Sequence, residues 1–184
     1  MTREEALALV KSRLTNKNLF KHTLAVEAVM RRLARHFGED EDFWGLAGLL
    51  HDIDYDETRD DPDRHSQVGA DLLAAQGLPT ELVDAVRAHN ERHGLSRATR
   101  MARALYTADP LTGLIVAAAL ISPSRRLTGI DAGFVLNRFG ERAFARGANR
   151  EVIRACETEL GIGLEEFVAL GLEAMQAIAG EIGL

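Results

Sequence analysis

The chain has 184 residues, of which 46% are hydrophobic and only 5% aromatic, and its formal net charge is -6. That length suits one domain with a full-sized core. The acidic balance excludes a broad electrostatic footprint for DNA or RNA, although a small anionic substrate remains compatible with it where a metal ion supplies local positive charge. Cys156 is the only cysteine, which excludes an intramolecular disulfide and a thiolate-rich zinc site.

The N-terminus, MTREEALALVKSRL, carries charges every few residues and does not read as a signal peptide. Thr2 and Glu5 form a candidate capping box ahead of Leu7, Val10 and Leu14. Asn18 to Phe37 reads as a long helix ended by Gly38, with an inward stripe of His22, Val26, Val29 and Leu33. Asp40 is placed to cap a third helix that buries Phe43, Ala47 and Leu50 and ends at His51-Asp52. Trp44, Phe43 and the methionines read as core.

Residues 53–64 are polar, contain Pro62 and are expected to form a loop of functional length. His65-Ser66 opens a helix that buries Val68 and Leu72 and ends at Gly77. Thr80 is expected to cap the next helix, with a stripe of Leu82, Val86 and His89 and a close at Gly94. Ala98–Ser122 is a long helical pattern that Pro110 should kink or restart and Pro123 stops. Its run Leu114–Ile121 is the longest apolar stretch, short of the roughly 18 residues of a membrane span. A basic loop at 124–129 and three further helices near 131–139, 150–160 and 164–181 complete the chain. The expectation is an all-α single-domain bundle over residues 1–184, without a membrane span, soluble and cytoplasmic.

Several polar residues sit where apolar ones belong. His22 and His89 lie on apolar stripes, and His51 ends the run GLAGLL. Asp109 shares a stripe with Leu105, Thr112 and Val116. Burying such a carboxylate costs several kcal/mol unless it is paired or metal-bound. Inward polar residues on different helices point to one shared ion in the bundle. Imidazole with carboxylate suits iron, manganese or zinc better than copper(I). Asp109, placed before Pro110, also reads as a helix cap. His93 competes with His89 one turn away, but Gly94 puts His93 at a fraying end. His36 reads as a helix-dipole partner. Asp54 and Asp56 read either as acceptors that orient ligands, as a general acid or base, or as a solvated acidic loop. Arg125 and Arg126 suit a phosphate contact through their planar forks, with an exposed surface loop as the competing reading.

The ordered set His22, His51-Asp52, His65, His89 and Asp109, in the contexts KHTLAV, GLLHDID, RHSQVGADLL, VRAHN and YTADPLTGL, resembles the HD-domain superfamily of metal-dependent phosphohydrolases. The resemblance spans roughly residues 18–122. Residues 123–184 then form a helical extension without assigned chemistry. The resemblance implies an all-α bundle with a central metal site. His22, His51, Asp52 and Asp109 would be ligands of a first divalent ion (Fe, Mn, Zn, Ni, Co or Mg). His65 and His89 would bind a second ion bridged by Asp52, or face the substrate. Catalysis would involve Asp52, His65 and His89; Asp54 as acid/base candidate and Arg125 and Arg126 as substrate contacts are readings of the residues themselves and not of the resemblance. The implied reaction is hydrolysis of a phosphoester or phosphoanhydride bond in a small molecule, with a nucleotide as the expected substrate. Two alternatives use the same residues: a di-iron oxygenase, and a regulatory module that binds metal and nucleotide without turnover.

Overall fold

The computed structural model describes residues 1–184, and all of its regular structure is helical. Helix α1 (Arg3–Arg13) starts at the expected capping box, in which Thr2 Oγ1 accepts from Glu5 N–H and the Glu5 carboxylate from Thr2 N–H. Helix α2 (Lys17–Phe37) begins one residue earlier than its apolar stripe implied, because Asn16 caps the free N–H groups of Asn18 and Leu19. Gly38, at φ 71°, ends it. Helix α3 (Glu41–Leu50) is capped by Asp40 and delivers His51 as its last half-helical residue.

Helices α2 and α3 cross at Gly48. A Cβ there would sit 2.8 Å from the Val26 carbonyl oxygen and 2.9 Å from the Glu27 backbone. Only a residue without a side chain permits this approach, and the approach sets the helix of His22 against that of His51. Inside the expected loop, Tyr55–Thr58 forms one helical turn, α4. Helix α5 (Gln67–Ala75) buries Gly69, Ala70 and Leu73, so Val68 and Leu72 are half-buried and not the core residues expected. Helix α6 (Thr80–Ala88) has Pro79 at its N-cap and Thr80 inside its first turn. It ends at His89, and a separate 3₁₀ turn, Glu91–His93, carries the chain to Gly94.

Helix α7 (Arg100–Ile121) runs through Pro110 without a break. Proline removes one ladder hydrogen bond. The helix persists because Leu105, Ala108, Leu111, Leu114 and Ile115, on both sides of the proline, are all wholly buried, and tertiary packing outweighs local propensity. Although no uninterrupted apolar run reaches membrane length, α7 as a whole is long and apolar enough to cross one. Here it packs against α2, α6 and the C-terminal helices α8 (Ala132–Gly140), α9 (Arg150–Arg154) and α10 (Leu164–Ala177). A π-turn at Cys156–Leu160 follows α9, and a last turn, α11 (Ala179–Ile182), follows α10. One continuous apolar core extends from Ala6 to Ile182 and includes Trp44, Met30, Met101 and Met175. Phe43 is half-buried and Met1 exposed. Burial raises the thiol pKa of Cys156 to about 12, which leaves it an inert core group.

Candidate metal centre

Five chain segments converge at one point in the bundle. Helix α2 brings His22, the end of α3 brings His51 and Asp52, and the turn before α5 brings His65. The end of α6 brings His89, and the middle of α7 brings Asp109. Asp52 lies at the middle of the group. Its Oδ2 faces His22 Nε2 at 3.6 Å and His51 Nε2 at 3.4 Å. Its Oδ1 faces His65 Nε2 at 3.3 Å and His89 Nε2 at 3.5 Å. Asp109 Oδ1 lies 3.0 Å from His22 Nε2 and 3.8 Å from His51 Nε2.

The other nitrogen of each ring is committed elsewhere. His51 Nδ1–H donates to the Gly48 carbonyl at 2.7 Å, and His89 Nδ1–H to the Val86 carbonyl at 2.6 Å. His65 Nδ1–H donates to Asp54 Oδ1 at 2.9 Å. Thr112 spends its single hydroxyl proton on the Asp109 carbonyl, 2.8 Å away, and therefore accepts from His22 Nδ1–H at 3.1 Å. In all four neutral rings the lone pair is thus on Nε2 and aimed at carboxylate oxygens. Lone pairs and anions packed together in this way need a cation among them.

Two further observations fit a metal ion. His51 Nε2 is buried and has no hydrogen-bond partner, an arrangement that buried polar atoms rarely tolerate. The donor atoms of His22, His51 and Asp109 lie within 4.8 Å of one another, as do those of His51, Asp52 and His89. Without an ion, protons take its place. Burial opposes charge on His51, but Asp52 and Asp109 raise its pKa to about 9. Burial likewise opposes charge on His65, and Asp52 and Asp54 raise it to about 10. Against the upward pull of burial, positive charge on His51 holds Asp52 well below the usual carboxylate range, and His22 and His51 lower Asp109.

The surroundings orient the ligands. Asp54 is buried; besides His65 it accepts the Gly69 N–H at 2.7 Å. Ser66 adopts φ 70°, a left-handed conformation rare outside glycine. It is held by donating its hydroxyl to the Arg87 carbonyl, and the bend turns His65 inward. His93 Nε2–H donates to the His65 carbonyl at 2.8 Å, and Asn90 donates to the same oxygen at 3.2 Å. His93 is therefore one layer outside the cluster that His89 joins. His36 lies in the last turn of α2, near Glu166. Asp56 accepts from the Thr15 N–H and hydroxyl and ties α4 to the end of α1. Asp109 is not fully buried: its side chain is 31% exposed, and it lines a cleft of about 230 Å³ together with His65, His89, Asn90, Tyr106 and Asn149.

Arg125 and Arg126 are not among the residues that line this cleft. They follow α7, whose last residue, Ile121, lies about 18 Å along the helix axis from Asp109 at 1.5 Å per residue. Of the residues that support the centre, Thr112 appeared in the sequence only as part of an apolar stripe. Gly69, Ser66 and Asn90 carried no signal of their own.

The HD domain family matches residues 19–119 of the chain. Ribonuclease Y of Sulfurovum sp. is 31% identical over 140 residues, covering 74% of this chain and 27% of that protein. Ribonuclease Y of Thermus thermophilus is 31% identical over 142 residues, covering 74% and 24%. In Oleidesulfovibrio alaskensis the match is 31% over 98 residues, covering 53% and 18%. The chain spans about a quarter or less of the length of these curated relatives. With this fold, this His/Asp cluster and that family match, the chain belongs to the HD-domain superfamily of metal-dependent phosphohydrolases. Its cofactor is a divalent metal, for which a donor set of imidazole and carboxylate without sulfur is suited.

Proposed function

We propose that this chain hydrolyses a phosphoester or phosphoanhydride bond in a small phosphorylated molecule, foremost a nucleotide, at a centre that holds two metal ions. The observation that carries this reading is the division of Asp52: one oxygen faces His22 and His51, the other faces His65 and His89. His22, His51, Asp109 and Asp52 Oδ2 would hold one ion. His65, His89 and Asp52 Oδ1 would hold the second. Divalent ions in such a site supply Lewis acidity and make water a competent nucleophile near neutral pH.

The chain's own residues do the rest. Asp54 fixes the His65 ring through Nδ1–H and so keeps Nε2 on the cleft side. The Gly48 and Val86 carbonyls fix the rings of His51 and His89, with Nε2 toward Asp52. The cleft volume, about 230 Å³, takes a phosphoryl group and the adjoining part of the molecule that bears it. Its lining contains no lysine or arginine, so charge on the phosphoryl oxygens must be met at the metal centre itself. Asn90 and Tyr106 offer polar contacts along the wall.

The similarity to ribonuclease Y favours a second reading, in which a phosphodiester of RNA is the substrate. The absence of lysine and arginine from the cleft and the net charge of -6 weigh against a long polyanion. The test combines metal analysis with a phosphate-release screen over nucleotides and short RNA. The expected result is two metal equivalents and turnover of nucleotides, with His65→Ala and His89→Ala retaining about one equivalent. A parent that saturates at one equivalent, or variants with the parent's stoichiometry, would assign these histidines to the substrate. Oxygen uptake coupled to substrate loss would replace hydrolysis with oxygenase chemistry.

A further inference from the structure

Residues 141–149, between α8 and α9, form one wall of the metal cleft, with Gly147 and Asn149 in its lining. The segment is firmly built. The Arg150 guanidinium donates to the carbonyls of Phe144, Ala145 and Ala148 at 2.6–2.7 Å, and more weakly to those of Arg138 and Phe139. Ala145 holds φ 42°, which a residue with a side chain keeps only where its surroundings impose it. Arg138 is paired with Glu141 at 2.8 Å.

Across this wall lies a second groove of about 360 Å³, lined by Arg142, Arg146, Ala148, Asn149, Arg150 and Glu151. Asn149 belongs to both cavities. Arg142 and Arg146 are exposed and enter no ion pair, and Glu151 is the one acid in the lining. An acidic protein thus places two free guanidinium groups, on a loop locked by a third, beside a cleft lined by no lysine or arginine of its own. Guanidinium forks match phosphate oxygens in geometry as well as charge.

We propose that Arg142 and Arg146 form a subsite for a second phosphate of the substrate, across the Asn149 wall from the phosphate that is hydrolysed. The substrate class is then a molecule with two phosphates at separate places, such as a nucleoside bisphosphate or a dinucleotide. This deepens the hydrolase reading and rests on it.

The experiment uses the metal-loaded full chain with adenosine 5′-monophosphate, adenosine 3′,5′-bisphosphate and the 5′-phosphorylated dinucleotide pApA. Parent and the double variant Arg142→Gln/Arg146→Gln are compared by kcat/KM, with thermal melting to verify folding. The parent is expected to prefer a two-phosphate substrate. The variant loses that preference by about tenfold, through KM and not kcat, the size expected when charge-assisted contacts are removed. Added salt should erode the preference in the parent and not in the variant. Bisphosphate and dinucleotide separate a terminal phosphate from a phosphodiester as the recognised group. A parent without preference, or a variant equally impaired on all three substrates, overturns the subsite. If the parent hydrolyses none of them, the hydrolase reading fails alone, and calorimetric binding of the bisphosphate decides. Weaker binding to the variant then supports the subsite, and equal binding overturns it.

Discussion

Each imidazole at the centre has one nitrogen free for a metal only because the other is occupied, and this makes residues that touch no ion important. Asp54 is the clearest case. It accepts both from His65 Nδ1–H and from the Gly69 N–H. In Asp54→Asn one amide oxygen must serve two donors while the amide N–H₂ meets one of them. We expect the variant to fold and to bind its metal about 10–100-fold more weakly, the usual consequence of losing a ligand's hydrogen-bond support. Competition with a chromogenic chelator measures this, and unchanged affinity would make Asp54 a purely structural acid. At this scale the sequence was informative about ligand types and poor about their supports. The four histidines and two aspartates stood out because polar groups occupied apolar stripes and helix ends. The carbonyls of Gly48 and Val86 carry no side-chain signature, and they act as acceptors only because His51 and His89 terminate helices with their rings folded back.

Among the helices, the crossing of α2 and α3 fixes the distance between His22 and His51. Gly48 lies at the contact, and a methyl group there would press on the α2 backbone, which cannot move aside as a flexible side chain can. Gly48→Ala should destabilise the fold by about 1–3 kcal/mol, as overpacking does. It should also reduce metal content, because the strain is relieved by parting these two helices. Denaturant unfolding and metal analysis of the purified variant check both effects; full stability with parental metal content would show that the crossing is compliant. Most helices were legible from caps and periodicity, including the capping box at Thr2 and Glu5 and the stop at Gly38. Where the structure departs from these signals the reasons are physical, as two positions show. Thr80 looks like a cap, but Pro79 precedes it with the extended geometry that an N-cap requires. Pro110 does not restart the helix, because core contacts on both sides carry α7 across it.

For the molecule as a whole, the ligands span residues 22 to 109 and come from different helices, so an ion ties distant parts of the chain together. Chelation should lower the melting temperature, since a ligand of the native state stabilises it by mass action, about 2.7 kcal/mol at a hundredfold excess over Kd. The size of the effect should depend on pH. In the metal-free protein, His51 and His65 have native pKa values of about 9 and 10, raised from 6.5. Their contribution is complete below about pH 6.5 and is lost as pH rises through 9 and 10. Asp52 and Asp109 are shifted downward, and their contribution is lost only in acid. The metal-free protein should therefore melt progressively lower above pH 6.5, and its gap from the loaded protein should widen. Melting curves at pH 6, 7.5 and 9 with and without chelator test this, and a gap that narrows with pH would contradict it. The all-helical class and the location of the centre could be read from the ordered histidines and aspartates. The part played by the C-terminal extension could not, because Gly147 and Asn149 reach the cleft through the packing of α9 on α7 and not through any chemistry of their own. The shared carboxylate has a last consequence for a centre with two ions. Whichever ion binds first draws on the charge of Asp52 and adds its own repulsion, so the second binds less tightly. The filling is then negatively cooperative and reciprocal: each ion weakens the other by the same factor, and a metal titration resolves into two steps.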